Sequence, residues 1–210
     1  MRALIWDLDG TILDSYGVIV DCTHEALREA GIEIDRRELH TRLIASSVKT
    51  VLEEFETRQG LELGRFWERY QVLSVARDDE VKLMDGAAET LERLSKTDIP
   101  SFVYTHKGAT ARAVLQKLGV LRYFTDVLSA EAGLPRKPAP DGLLWLIKRY
   151  DLDKNQTFYV GDRPIDVECA LNAHVRSILY RPPESPAVPT GREDHIVADL
   201  RQIPGLFAIS

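Results

Sequence analysis

Residues 3–11 read Ala3-Leu4-Ile5-Trp6-Asp7-Leu8-Asp9-Gly10-Thr11, an apolar run that breaks off into acid, glycine and threonine. Ala3 to Trp6 is too short for a helix and has no polar face, so it reads as a strand buried on both sides. The same grammar recurs downstream. Residues 99–104, 125–128, 157–160 and 175–180 read as further short strands, with a last one near Ile196. Between them, residues 86–96, 109–118, 141–150 and 164–172 carry helical spacing, the last with Pro164 in its first turn. Strands alternating with helices predict a parallel sheet with right-handed crossovers. One segment departs from this rhythm. From about Tyr16 to Val81 the apolar residues recur at helical spacing, over 16–30, 35–59 and 64–76, with no clear strand. The expected architecture is an α/β core from residues 1–14 and 84–210, with a helical domain inserted at 15–83.

Bulk properties narrow the function. The 210 residues carry 27 Lys+Arg against 33 Asp+Glu, a net charge of -6. No basic excess points to nucleic acid or to an anionic membrane. Cys22 and Cys169 lie far apart, without the CxxC spacing of a metal site, so both are expected to be reduced and buried in a cytoplasmic protein. No basic stretch and cleavage site follow Met1, so no signal peptide is expected. The longest apolar run, Leu143 to Ile147, is far short of a membrane span. Neither GxxxxGK[ST] nor GxGxxG occurs, which removes the two commonest phosphate loops.

In an open parallel sheet, ligands bind beyond the carboxyl ends of the strands. Those ends carry Asp7-Leu8-Asp9-Gly10-Thr11, then Thr105-His106-Lys107, then Gly161-Asp162-Arg163-Pro164-Ile165-Asp166, with Lys137 in the proline-flanked loop 136–140. Two residues apart at a strand end, Asp7 and Asp9 are expected to point to one side. Adjacent carboxylates repel, so either a cation binds or one is protonated. An ionised Asp7 suits nucleophilic attack and a protonated Asp9 suits proton donation. The pair also fits an Asx turn or a helix cap. Gly10 allows close backbone approach to a phosphate. Asp162 fits an N-cap, with Asp166 one turn on along the same face. Converging carboxylates need a counter-ion, and an all-oxygen donor set suits Mg²⁺. No histidines stand at zinc spacing. Lys137 suits neutralisation of phosphoryl charge, although a lone lysine is more often solvated. Thr105 is expected to offer its hydroxyl and its backbone N–H to a phosphate oxygen.

With these four motifs in this order, the sequence resembles the haloacid dehalogenase superfamily of phosphatases, in the branch that holds phosphoglycolate phosphatases and β-phosphoglucomutases. The resemblance implies a Rossmann-like core with an inserted four-helix-bundle cap. It implies that Asp7 becomes an aspartyl-phosphate and that Asp9 protonates the leaving group, then activates water. Thr105 and Lys137 are implied to bind the phosphoryl group, with His106 and Gly10 beside them. Mg²⁺ is implied on the Asp7 side chain, the Asp9 carbonyl and Asp162, with Asp166 as ligand or support. Position 106 departs from the family pattern, where asparagine is common after the threonine. The turn 43–49 is expected to face substrate, with Arg42, Ser47 or Lys49 as candidate contacts. The implied substrate is a small phosphorylated metabolite, 2-phosphoglycolate first, handled by a monomer or homodimer. A phosphomutase on the same core and a non-catalytic binding protein stand as alternatives. Asp9 counts against a dehalogenase, which needs no acid at that position.

Overall fold

The computed structural model describes residues 2–207. The chain forms two compact units, one from the chain up to Asp14 together with the chain from Lys82 onward, the other Ser15–Val81. The first unit is built on a six-stranded sheet. Its strands are β1 (Ala3–Trp6), β4 (Ser101–Tyr104), β5 (Phe124–Leu128), β6 (Thr157–Gly161), β7 (Arg176–Tyr180) and β8 (His195–Val197). They lie in the order β5-β4-β1-β6-β7-β8, and every pairing is parallel. The expected α/β class is therefore the observed one.

The topology explains why β1 carries the chemistry. From β1 the sheet grows one way to β4 and β5, then crosses back to β6 on the other side of β1. The direction in which strands are added thus reverses around β1, and sheets of this kind bind ligands beyond the strand ends at such a switch point. All four residues of β1 and all five of β6 are buried, as strands covered on both faces require. Helices α7 (Asp141–Tyr150) and α8 (Pro164–Ala173) cover one face. Leu143, Leu146 and Ile147 of α7 and Ala170 and Ala173 of α8 meet Ala3, Ile5, Phe102, Tyr104 and Tyr159 there. Helices α5 (Ala87–Ser95) and α6 (Ala111–Lys117) complete the unit. On α5, Ala87, Leu91 and Leu94 are buried while Ala88, Glu89 and Glu92 stay outside.

A two-stranded ladder escapes the sequence pattern. β2 (Leu13–Asp14) pairs antiparallel with β3 (Lys82–Leu83), two residues on each side. Segments that short carry no readable alternation, and Lys82 and Leu83 fell within the region expected to be helical. Ladder pairing ties both residues to the α/β unit.

The second unit contains α1 (Tyr16–Arg28), α2 (Arg36–Ala45), α3 (Val48–Gln59) and α4 (Arg65–Ala76) around Val20, Leu27, Leu39, Leu43, Val51, Leu52, Phe55 and Phe66. The helical stretch over 35–59 is two helices that meet within the turn expected at 43–49. Ser47 separates them as the N-cap of α3, its hydroxyl accepting the Thr50 N–H at 3.1 Å. Glu56 lies fully buried, and its carboxylate accepts the Phe66 and Gly64 N–H groups at the start of α4. No helix among the described residues is long and apolar enough to cross a membrane.

Candidate active site

Asp7 follows β1 directly, and its N–H donates to the Val160 carbonyl of β6 at 2.8 Å. The carboxylate is thereby held at the switch point, and the residue is 2% exposed. β1 ends at Trp6. Strand alternation therefore does not govern Asp9, which sits in the turn that follows. That turn closes on Leu8, whose carbonyl accepts from Ile12 and Leu13. Gly10 has φ 84°, and its N–H donates to the Leu13 carbonyl at 2.8 Å. Only a residue without a side chain takes that backbone conformation freely.

Lys137 is the centre of the electrostatics. A lone lysine in a proline-flanked loop is ordinarily solvated, yet this side chain is fully buried. Its ammonium donates to Asp7 Oδ1 at 2.6 Å and to Asp166 Oδ1 at 2.8 Å. The rings of Tyr104 and Tyr159 stand 5.2 and 5.1 Å from Nζ. Burial works against the charged ammonium, but Asp166 and Asp7 outweigh it and hold Lys137 protonated above its ordinary range. Burial and the neighbouring Asp166 push Asp7 up to about 6, against the pull of Lys137 and Arg163. Asp166 is held low: burial is overcome by Lys137, Arg163 and the hydrogen bonds it accepts.

Asp166 is surrounded. Its Oδ1 accepts from Lys137 and from the Tyr159 hydroxyl at 3.2 Å, and its Oδ2 accepts the Arg163 N–H at 3.2 Å. The N-cap of α8 is Arg163, not Asp162 as the sequence suggested. β6 runs one residue further than expected, through Gly161, which leaves Asp162 between strand and cap. Asp162 accepts from the Thr11 hydroxyl at 3.2 Å. Gly161 is required by packing, since a Cβ there would lie 2.3 Å from the Asp166 Cβ.

The donor set fits a hard divalent cation. Asp7, Asp162 and Asp166 are all buried, and an oxygen from each lies within 4.8 Å of the others. Lys137 is seated among them and the Arg163 guanidinium lies 3.9 Å from Asp166, which still leaves three carboxylates facing two cations. Asp7 Oδ2 is buried and accepts no hydrogen bond. A buried cluster whose donors are all carboxylate oxygens is the kind of site Mg²⁺ uses. The Asp9 carboxylate does not join the cluster, and its buried Oδ1 also lacks a partner.

The other expected residues divide into two groups. Thr105 is buried at the end of β4, but its N–H donates to the Leu128 carbonyl at 3.0 Å. Sheet hydrogen bonding has taken that donor, so only the hydroxyl remains to give; its oxygen already accepts the Lys107 N–H. His106 follows, and its Nε2 accepts the Lys137 N–H at 3.0 Å. Arg42, Ser47 and Lys49 belong to the helical unit. Arg42 pairs with Glu54 at 2.5 Å and stacks over Phe55, Lys49 lies 3.7 Å from Glu53, and Ser47 caps α3. Sequence reading missed Tyr159 and Arg163. A tyrosine inside a buried apolar strand is itself a signal, because its hydroxyl must find a partner.

Comparison with known proteins identifies the family of the chain. Residues 4–180 match the family described as haloacid dehalogenase-like hydrolase. The chain is 26% identical to a phosphoglycolate phosphatase of Photobacterium profundum over 192 residues, covering 86% of this chain and 84% of that protein. It is 28% identical to an N-acetylmuramic acid 6-phosphate phosphatase of Pseudomonas putida over 191 residues, covering 86% and 83%. Its fold superposes on the crystal structure of a predicted phosphoglycolate phosphatase from Haemophilus somnus with a TM-score of 0.82 at 20% identity, over 99% of this chain and 98% of that one. With the family match spanning most of the chain and the carboxylates gathered at the sheet's switch point, the chain belongs to the haloacid dehalogenase-like hydrolase family.

Proposed function

We propose that this protein is a Mg²⁺-dependent phosphatase that hydrolyses a small phosphomonoester through an aspartyl-phosphate on Asp7. The enzyme is a phosphoric monoester hydrolase. The observation that carries this reading is the Asp7 carboxylate, with Oδ1 tied to Lys137 and Oδ2 buried without a partner. In this reading Oδ2 attacks phosphorus, and Asp9 gives its proton to the departing oxygen. Asp9 then takes a proton from the water that attacks the phosphorus of the acyl phosphate, which releases phosphate and restores Asp7. Lys137 and the Thr105 hydroxyl neutralise the phosphoryl oxygens. Asp7, Asp162 and the Asp9 carbonyl hold Mg²⁺, supported by Asp166; when bound, the ion supplies charge neutralisation at the transferring group. The helical unit takes the cap role and the choice of leaving group, with Arg42, Ser47 and Lys49 as candidates.

The first candidate substrate is 2-phosphoglycolate, supported by the names of several curated relatives. The Pseudomonas putida relative is named for a different phosphomonoester at similar identity, so the test must span a panel. Phosphate release is measured from p-nitrophenyl phosphate, 2-phosphoglycolate, N-acetylmuramic acid 6-phosphate and a hexose 1-phosphate, with Mg²⁺ and with EDTA. Asp7→Asn abolishes release from every active substrate. Full activity in that variant overturns the nucleophile. Isomerisation of the hexose phosphate without phosphate release turns the reading to a mutase.

A further inference from the structure

The imidazole at position 106 has a task in the structure. We propose that His106 is a positioning residue for Lys137, holding the main chain of that lysine through Nε2 so that its ammonium stays aimed at Asp7 and the phosphoryl site. The inference rests on the phosphatase reading for what Lys137 is aimed at, and on geometry for how it is held. Nε2 accepts the Lys137 N–H at 3.0 Å across 31 residues of sequence. An imidazole nitrogen accepts only when it carries no proton, so the ring is neutral with its proton on Nδ1.

Two further contacts fix the ring and the lysine together. His106 meets the Tyr104 ring edge-on, with centroids 5.9 Å apart and planes at 83°. The same Tyr104 ring lies 5.2 Å from Lys137 Nζ. Lys137 is thus gripped at its backbone by His106 and at its head by Tyr104, Tyr159, Asp7 and Asp166. Burial, Lys137, Arg136 and Arg163 all oppose a charge on the ring, which agrees with the tautomer that the hydrogen bond demands. A loop held at one point only would let a four-carbon side chain swing. Displacements of about 1 Å in a positioning group cost on the order of 100-fold in rate.

The test compares His106→Leu, which removes the acceptor, with His106→Gln, whose carboxamide oxygen can accept the same N–H. Three readouts are taken on the full-length protein: ¹⁵N shifts of the imidazole, hydrogen exchange at the Lys137 amide, and kcat/KM with the inhibition constant for inorganic phosphate. The proposal expects an Nδ1–H tautomer and a protected Lys137 amide in the native protein. It expects loss of that protection and a fall of roughly 10- to 100-fold in kcat/KM for the leucine variant, with the glutamine variant within a few fold of native. An Nε2–H tautomer overturns it. So does equal loss in both variants, or a folded leucine variant with unchanged amide protection. A native protein inactive on every phosphomonoester counts against the phosphatase reading alone, and the tautomer and exchange results then decide the positioning role.

Discussion

Replacing Lys137 by methionine keeps the stem's volume and deletes the charge. The ammonium touches Asp7 at 2.6 Å and Asp166 at 2.8 Å, and all three side chains are buried. At an effective dielectric near 20, each contact carries roughly 6 kcal/mol of gross attraction. Most of that is offset by the several kcal/mol each ion loses on leaving water. Deleting one partner keeps the desolvation and discards the attraction, and the net loss is about 3–5 kcal/mol. The loss has a sign in pH. Asp7 titrates near about 6 even beside Lys137, and it rises further without the lysine. A carboxylate whose folded pKa is raised binds its proton first in the folded state, so stability grows as pH falls through that value and shrinks as pH rises. The gap between variant and native protein is therefore narrowest near about pH 5 and widest near about pH 8. Urea unfolding followed by tryptophan fluorescence reads this, with Trp6 fully buried in β1 as a reporter. Adding Asp166→Asn to the variant removes one stranded charge and recovers part of the loss. A loss under about 1 kcal/mol at pH 8, or one that does not change with pH, refutes the buried three-member network.

Other consequences follow from the same geometry. If the carboxylate cluster holds Mg²⁺ as proposed, the ion raises the unfolding temperature of the native protein, and Asp162→Asn reduces that shift, seen by calorimetry at matched Mg²⁺. Gly161→Ala drives a methyl group into Asp166 and costs about 1–3 kcal/mol in urea unfolding together with most of the activity. Glu56→Ala strands the buried N–H of Phe66 at the head of α4, at about 1–3 kcal/mol, and frees the half-buried N–H of Gly64; hydrogen exchange shows the weakening within the helical unit.

How much of this could be read from the sequence depends on whether a residue's partner is local. β1, β4, β6 and β7 announce themselves as short apolar runs, because strands covered on both faces need no alternation. Ser47 reads in the sequence as a candidate substrate contact, although its capping role is just as local. Asp7 and Asp162 could be placed at strand ends, which is most of the site. Lys137 could not be distinguished from a solvated lysine, since Asp7 lies 130 residues away. Glu56 hid for the same reason: in Glu53-Glu54-Phe55-Glu56 it reads as one more exposed acid, and only the approach of α4 makes it a buried acceptor. The N-cap of α8 was misplaced by one residue because aspartate is the better capping residue and Arg163 holds the position through its backbone. The Thr105 N–H was assigned to a ligand because a strand's last ladder bond cannot be seen without its neighbour β5.

The bond between Lys137 and Asp7 Oδ1 also bears on timing. A free carboxylate has two interchangeable oxygens and turns easily about its terminal bond. Tying one of them to a fully enclosed ammonium breaks that equivalence, leaving Oδ1 as an anchor and, in the proposed reaction, Oδ2 as the reagent. The rotational freedom that an attacking group ordinarily surrenders on the way to its transition state is surrendered when the chain folds. Asp166, with hydrogen bonds on both oxygens, holds the other side of the same ammonium and so fixes the anchor itself.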